Sequence, residues 1–148
     1  MASFEEILNL PASAIKAPEA LPVGTYHAMI DGPLAPGKSA KKQTDLFTVK
    51  FKILDAMDDV DSNAAAEQQV KGKIITSDYY VTEDAVWRLR ELLVDHLGIE
   101  PKNASGQEKK LKELIAEAPG QQVLVNLKHE ASQDGKRVFH RVNRTAHV

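Results

Sequence analysis

Apolar and polar residues alternate most cleanly from Leu46 to Leu54, where Phe47, Val49, Phe51 and Ile53 take one side and Thr48, Lys50 and Lys52 the other. A period of two predicts a β-strand with one buried face. The same period after Gly24, in TYHAMID, sets Tyr26, Ala28 and Ile30 against His27 and Met29. A third strand-like run, Val70 to Tyr80, passes through Thr82-Glu83-Asp84 into helical spacing. Val86, Leu89, Leu93 and Leu97 form the apolar stripe there, with Leu92 and Trp87 beside it and Arg88, Arg90, Glu91 and Asp95 on the wet side. Thr82 can cap this helix, the two acids suit its positive end, and Gly98 offers a left-handed stop. One strand delivering one amphipathic helix onto a small sheet is the expected core.

Weaker patterns fill the rest. Ser3 and Glu6 read as a capping box for a short helix whose sticky side is Phe4, Ile7 and Leu8. Prolines and alanines from Pro11 to Pro22 predict an extended arm that docks on its own domain or on a neighbour. Residues 31–45 read as a long loop carrying Lys38, Lys41 and Lys42. Residues 55–69 hold Asp55, Asp58, Asp59, Asp61 and Glu67 with no basic residue, and read as a solvated, mobile hairpin excursion. That stretch lacks the Gly and the terminal Glu of a calcium loop. A second amphipathic helix is expected from about Gln107 to Ala118, with Leu111, Leu114 and Ile115 inward and a stop at Pro119-Gly120.

The final stretch, QQVLVNLKHEAS then KRVFHRVNR, predicts a β-hairpin turning at Asp134-Gly135. If that turn is used, Lys128 faces Arg141 and His129 faces His140. Val125, Leu127, His129 and Ala131 then share a mostly apolar face with Val138, His140, Val142 and Arg144. The other face carries Asn126, Lys128, Glu130 and Ser132 against Arg137, Phe139, Arg141 and Asn143.

Charge sharpens this picture. The chain of 148 residues has a net charge of −2, which gives no global reason to expect nucleic acid. Residues 1–120 hold 14 Lys/Arg against 19 Asp/Glu, a net of −5, whereas residues 121–148 hold 5 against 2, a net of +3. The hairpin therefore stands out. Opposed cations destabilise a strand pair, and an aromatic among cations is what a single strand needs, because bases stack on rings while phosphates pair with Lys/Arg.

Other chemistry finds little footing. No cysteine means no disulfide, thiolate nucleophile or thiolate metal site. Residues 32–39, GPLAPGKS, match the phosphate-loop pattern, but a strand rather than a helix follows, and two prolines remove backbone donors. His129 and His140 without a third ligand make a poor metal site. No catalytic set stands out, so the expectation is a non-enzyme with no cofactor and no metal. Tyr79 and Tyr80 are adjacent in a strand, so one points to the core and the other can serve as a stacking platform. The N-terminus lacks the basic start and apolar run of a signal peptide, and no stretch reaches membrane-spanning length, so a soluble, non-secreted protein without membrane contact is expected.

The succession LPVGTYHAMI, a Lys-containing loop, LFTVKFKILDA, KGKIITSDYYV, AVWRLRELLVDHLGI and GQQVLVNLKHEASQDGKRVFHRVNR resembles a phage-encoded single-stranded-DNA-binding-protein-like family over about residues 21–144. The resemblance implies an α+β, mainly β fold: a five-stranded OB-like barrel with two amphipathic helices between the third strand and the C-terminal hairpin. The arm and short helix would occupy residues 1–22 and the OB-like domain residues 23–148, with an acidic loop at 55–69, a helical segment at 82–118 and the hairpin at 121–144. It also implies binding of single-stranded DNA in phage replication or recombination, in the cytoplasm of the infected bacterium. The implied contacts are Lys38, Lys41 and Lys42 in the first loop, Lys50 and Lys52 on the second strand, Tyr79 or Tyr80, and Lys128, Arg137, Phe139 and Arg141 on the hairpin. The alternative from another class is a virion protein that decorates or cements a capsid on the same barrel. Its N-terminal arm would then hold a capsid protein or a second copy in a homo-oligomer.

Overall fold

The alternation at residues 46–54 becomes the strand on which the rest is assembled. The computed structural model describes residues 3–12, 20–133, 135 and 137–148. Its strands are β1 (Gly24–Ile30), β2 (Ala35–Lys38), β3 (Asp45–Ala56), β4 (Ile74–Tyr80), β5 (Gln122–Ala131) and β6 (Val138–Ala146). Its helices are α1 (Phe4–Leu8), α2 (Ser62–Gln68), α3 (Val86–Arg90) and α4 (Leu111–Glu117). The strands form one antiparallel sheet of six, so the fold is mainly β with few helices.

β4 pairs with Leu46–Lys52 of β3, so it shares residues 46–48 with β2 and residues 51–52 with β1. A strand has two edges, so β1 and β2 lie together on the edge opposite β4. The first loop, expected at residues 31–45 without structure, therefore contains a sixth strand. Its Pro and Gly read as turn signals, yet both suit an edge: Pro36 has no donor to lose there, and Gly37 lies flat over Leu46, whose Cδ1 would be 3.5 Å from an added Cβ.

The inward faces are those the alternation gives. Tyr26, Ala28, Ile30, Val49, Phe51, Ile53, Val123, Val125 and Leu127 are all buried. The Tyr26 hydroxyl donates to the Pro22 carbonyl at 2.7 Å. Desolvation, reinforced by Asp59, pushes its pKa up to about 12.

Leu89, Leu92, Leu93 and Leu97 plug this sheet. Thr82 Oγ1 accepts from the Ala85 amide at 3.2 Å, α3 follows, and the helix continues as a π-helical turn over Glu91–His96. There the Leu97 amide reaches back five residues to the Leu92 carbonyl, and Gly98 ends the helix at φ 74°. Widening the turn turns both Leu92 and Leu93 inward and aims His96 at Thr145 of β6, with Nδ1 and Oγ1 2.5 Å apart. Tyr79 meets the same Thr145 from β4, so side chains bridge β4 and β6 where no backbone ladder joins them among the described residues.

Two expected boundaries shift. The third strand starts at Ile74, because residues 70–73 turn through Gly72 at φ 85°. The second helix starts at Leu111, after a bridge between Lys102 and Glu108 holds the preceding loop.

The acidic stretch joins the antiparallel strands β3 and β4 with its acids exposed, as a hairpin excursion does, but it is folded onto the domain. It contains α2, capped by Asp61, whose Oδ1 accepts from the Asn63 and Ala64 amides at 2.9 and 3.1 Å. Val60, Ala65 and Val70 are buried beneath the acids. Asp59 accepts from both the amide and the hydroxyl of Thr25 at 2.8 Å, and those bonds hold its pKa below the usual carboxylate range.

Candidate nucleic-acid interface

The hairpin register follows the expected pairing from its tip to Leu127. Ala131 faces Val138, Glu130 faces Phe139, His129 faces His140, Lys128 faces Arg141 and Leu127 faces Val142. Gly135 sits at φ 71°, as the turn requires; Asp134 lies outside the described residues. A bulge between Asn126 and Leu127 then moves the partner by one, so Asn126 faces Arg144 and Val125 faces Thr145. This overturns the placement of Arg144 on the apolar face. Thr145 takes the inward position, and Arg144 joins the exposed side, close enough to help hold Asp59 ionised.

β1 ends its ladder with β5 at the Gly24–Leu127 pair. Beyond that pair, residues 128–131 and 138–141 stand as a two-stranded ribbon. Its outer face carries Lys128, Glu130, Phe139 and Arg141, with Arg137 next along the strand, and all are exposed. Phe139 keeps 46% of its surface in water, and the Arg137 guanidinium lies 5.5 Å from its ring centroid. The opposed cations are partly relieved by a neighbour the sequence reading left aside: Arg141 Nη1 is 3.1 Å from Glu130 Oε2. Both side chains are more than half exposed, so this pair contributes little stability. A phosphate can replace Glu130 at Arg141.

The inner face of the ribbon holds the end of the arm, residues 20–22; residues 13–19 of the expected extended arm lie outside the described residues. Leu21 donates its amide to His140 Nδ1 at 3.1 Å and accepts from His129 Nε2 at 2.7 Å through its carbonyl. Gln68 Nε2 donates to the Ala20 carbonyl at 3.2 Å, and Leu21 and Pro22 are buried. The two histidines are thus backbone clamps, and His140 must present a bare Nδ1. Burial, then the nearby His129 and Lys73, lowers the pKa of His140 below 6.5. Among the described residues, no three His, Asp or Glu side chains gather in metal-binding geometry.

The other expected contacts form a second group. Lys50 faces Thr76, Lys52 faces Ile74 and Met29, and Tyr80 faces Leu46, all on the side of β3 away from Val49, Phe51 and Ile53. Lys50 is exposed and Lys52 half-buried, and Tyr80 keeps 44% of its surface. Lys38 ends β2 at 4.0 Å from Asp45, and Lys41 and Lys42 occupy the exposed turn that follows. Tyr79 does not belong to this interface. It points inward, and desolvation, opposed by Thr145, pushes its pKa up to about 12. The phosphate-loop pattern at residues 32–39 folds into β2 and the turn to β3, with no helix after it.

Two surface features escaped the sequence reading. Trp87, expected beside the apolar stripe, is 54% exposed with the Arg88 guanidinium 5.4 Å from its ring centroid. A cavity of about 610 Å³ lies between the end of β3 and α2, lined by Met57, Val60, Ala65 and Val70 and edged by Asp55 and Asp58. Lys71 also lines it and pairs with Asp55 at 3.8 Å.

No family model matches the chain, and no curated protein is significantly similar to it in sequence.

Proposed function

We propose that this protein binds single-stranded DNA without strong sequence preference, through the ribbon's outer face and the exposed side of β3. The observation that carries the reading is Phe139: a half-exposed ring, stacked by Arg137 and flanked by Lys128 and Arg141, at the end of a projecting ribbon. Such a ring offers a base one apolar surface while the cations take the adjoining phosphates. The strand order β4, β3, β1, β5, β6, with Tyr79 and Thr145 linking the outermost strands, supports an OB-like barrel with the helical segment between its third and fourth long strands. Replication or recombination of a phage genome is the setting that the sequence resemblance favours.

Fluorescence anisotropy with a labelled oligothymidylate tests the reading. Phe139→Ala should weaken binding roughly 5- to 150-fold, the loss of one stacked base at about 1–3 kcal/mol. An affinity unchanged in Phe139→Ala and Arg141→Ala would remove this face from the interface.

One observation favours a second reading, a decorating or cementing virion protein. α1 forms a complete capping box yet buries none of its residues, leaving Phe4 at 78% and Leu8 at 67% exposure. An apolar helix on a proline-containing arm is suited to grip another subunit. Mass spectrometry of purified virions separates the two: many copies per particle favours decoration, absence favours DNA handling.

A further inference from the structure

Trp87 is the one tryptophan of the chain, and the helix that carries it has core positions to spare. Leu89, Leu92, Leu93 and Leu97 take those positions and are buried, while Trp87 remains 54% exposed. An indole is the side chain that gains most from burial, so leaving it in water gives up stability unless the ring meets something else. Arg88 lies over the ring, 5.4 Å from its centroid, and Arg90 is exposed on the same helix. A guanidinium over one face leaves the other face to a planar partner.

The same composition occurs at Phe139, where Arg137 sits 5.5 Å from the ring centroid. Position strengthens the parallel. Tyr80 closes β4 on the exposed side of the sheet, and residues 81–86 fold tightly from there to Trp87. The Val86 and Ala85 amides both donate to the Thr82 carbonyl, at 2.9 and 3.2 Å, and the Val81 amide donates to the Asp45 carbonyl at 2.8 Å. Trp87 therefore follows seven residues after Tyr80, which shares its side of the sheet with Lys50. The acids near it restrict how a strand can lie. Glu83 and Asp84 are exposed before the helix, and Glu91 Oε1 is turned to His96 Nε2 at 3.3 Å. Arg88 and Arg90, two positions apart, project from different sides of the helix, so each can take a phosphate only on its own side of the ring.

We propose that Trp87, with Arg88 and Arg90, is a second stacking station, taking one unpaired base of single-stranded DNA while the arginines hold adjoining phosphates. The proposal rests on the single-strand-binding reading above and extends it to the helix.

The full-length protein carries its own probe, because all tryptophan emission comes from Trp87. Unlabelled oligothymidylate is titrated while that emission is followed, and the same oligonucleotide with a fluorescent label is followed by anisotropy. The expected result is quenching that saturates together with the anisotropy. Trp87→Ala should lose roughly 5- to 150-fold in affinity, the loss of one stacked base, and Trp87→Phe should retain most of it. Arg88→Ala, which keeps the ring, should weaken binding and flatten its salt dependence. Binding by anisotropy with unchanged emission and an unchanged Trp87→Ala affinity would overturn the second station and leave the ribbon's role standing. No anisotropy change at all would overturn the function itself, so the two failures are distinct.

Discussion

Leu21 is read by side chains rather than by a strand: His140 accepts its amide and His129 donates to its carbonyl. A protonated His140 has no lone pair at Nδ1 for that amide. Its pKa is depressed in the folded protein, chiefly by burial, so the unfolded chain takes up the proton first as pH falls. Stability from this group is therefore complete above pH 6.5 and declines as pH drops through 6.5 toward the folded-state value. Urea unfolding should show the wild type losing stability between pH 7.5 and pH 5.5 by more than His140→Gln, which keeps an acceptor and cannot titrate. An equal loss in both would remove His140 from the latch. Sequence reading pairs the two histidines correctly but cannot see their task, because the partner is backbone more than a hundred positions away. Glu130 is a second residue whose role appears only with the fold. If Arg141 holds a phosphate as proposed, Glu130 competes with it, so Glu130→Gln should tighten oligonucleotide binding severalfold at low salt in the anisotropy assay. Weaker binding would mean that Glu130 positions Arg141 for the ligand.

Among the elements, the hairpin was the most legible and the acidic stretch the least. One Asp-Gly turn fixes a whole ladder, because each later pair is two residues further from the same point. The bulge at Asn126/Leu127 has no such signal, and that single step decides that Thr145, not Arg144, faces Tyr79. In residues 55–70 only Val60, Ala65 and Val70 are buried, too few to set a period among so many carboxylates. What holds that segment is its contact with β1. Gly24 sits at φ 134°, and a Cβ there would fall 2.6 Å from Val60 Cγ2 and 3.0 Å from the Asp59 carbonyl. Gly24→Ala combines a backbone angle that alanine rarely adopts with a clash against the Val60 side chain, backed by tight main-chain contacts, and should cost about 1–3 kcal/mol in urea unfolding. Asp61→Ala removes the cap of α2 and should cost about 0.5–2 kcal/mol. If Gly24→Ala is neutral, Asp59 and Val60 are not seated on β1.

At the scale of the whole molecule, a net charge of −2 and a sequence pI near 6.2 set the terms on which a polyanion can bind. There is no long-range attraction to rely on, so affinity must come from local contacts, and apart from Arg88 and Arg90 on the helix the cations of the proposed interface fall in two groups with β1 and the start of β5 between them. The ribbon offers Lys128, Arg137 and Arg141; β3 and the turn before it offer Lys41, Lys42 and Lys50. A strand that crosses from one group to the other meets both sets of phosphates, whereas a short strand meets only one. Each phosphate neutralised contributes about −0.7 to the slope of log affinity against log salt for single strands. With a long oligothymidylate, Lys50→Ala and Arg141→Ala should each flatten the slope by roughly 0.7, and the double variant should lose roughly the sum. As the oligonucleotide is shortened, the effect of one substitution should vanish before that of the other, and the length at which it does measures the path between β3 and the ribbon. A slope that Lys50→Ala leaves unchanged at every length would confine the strand to the ribbon and leave β3 as scaffold.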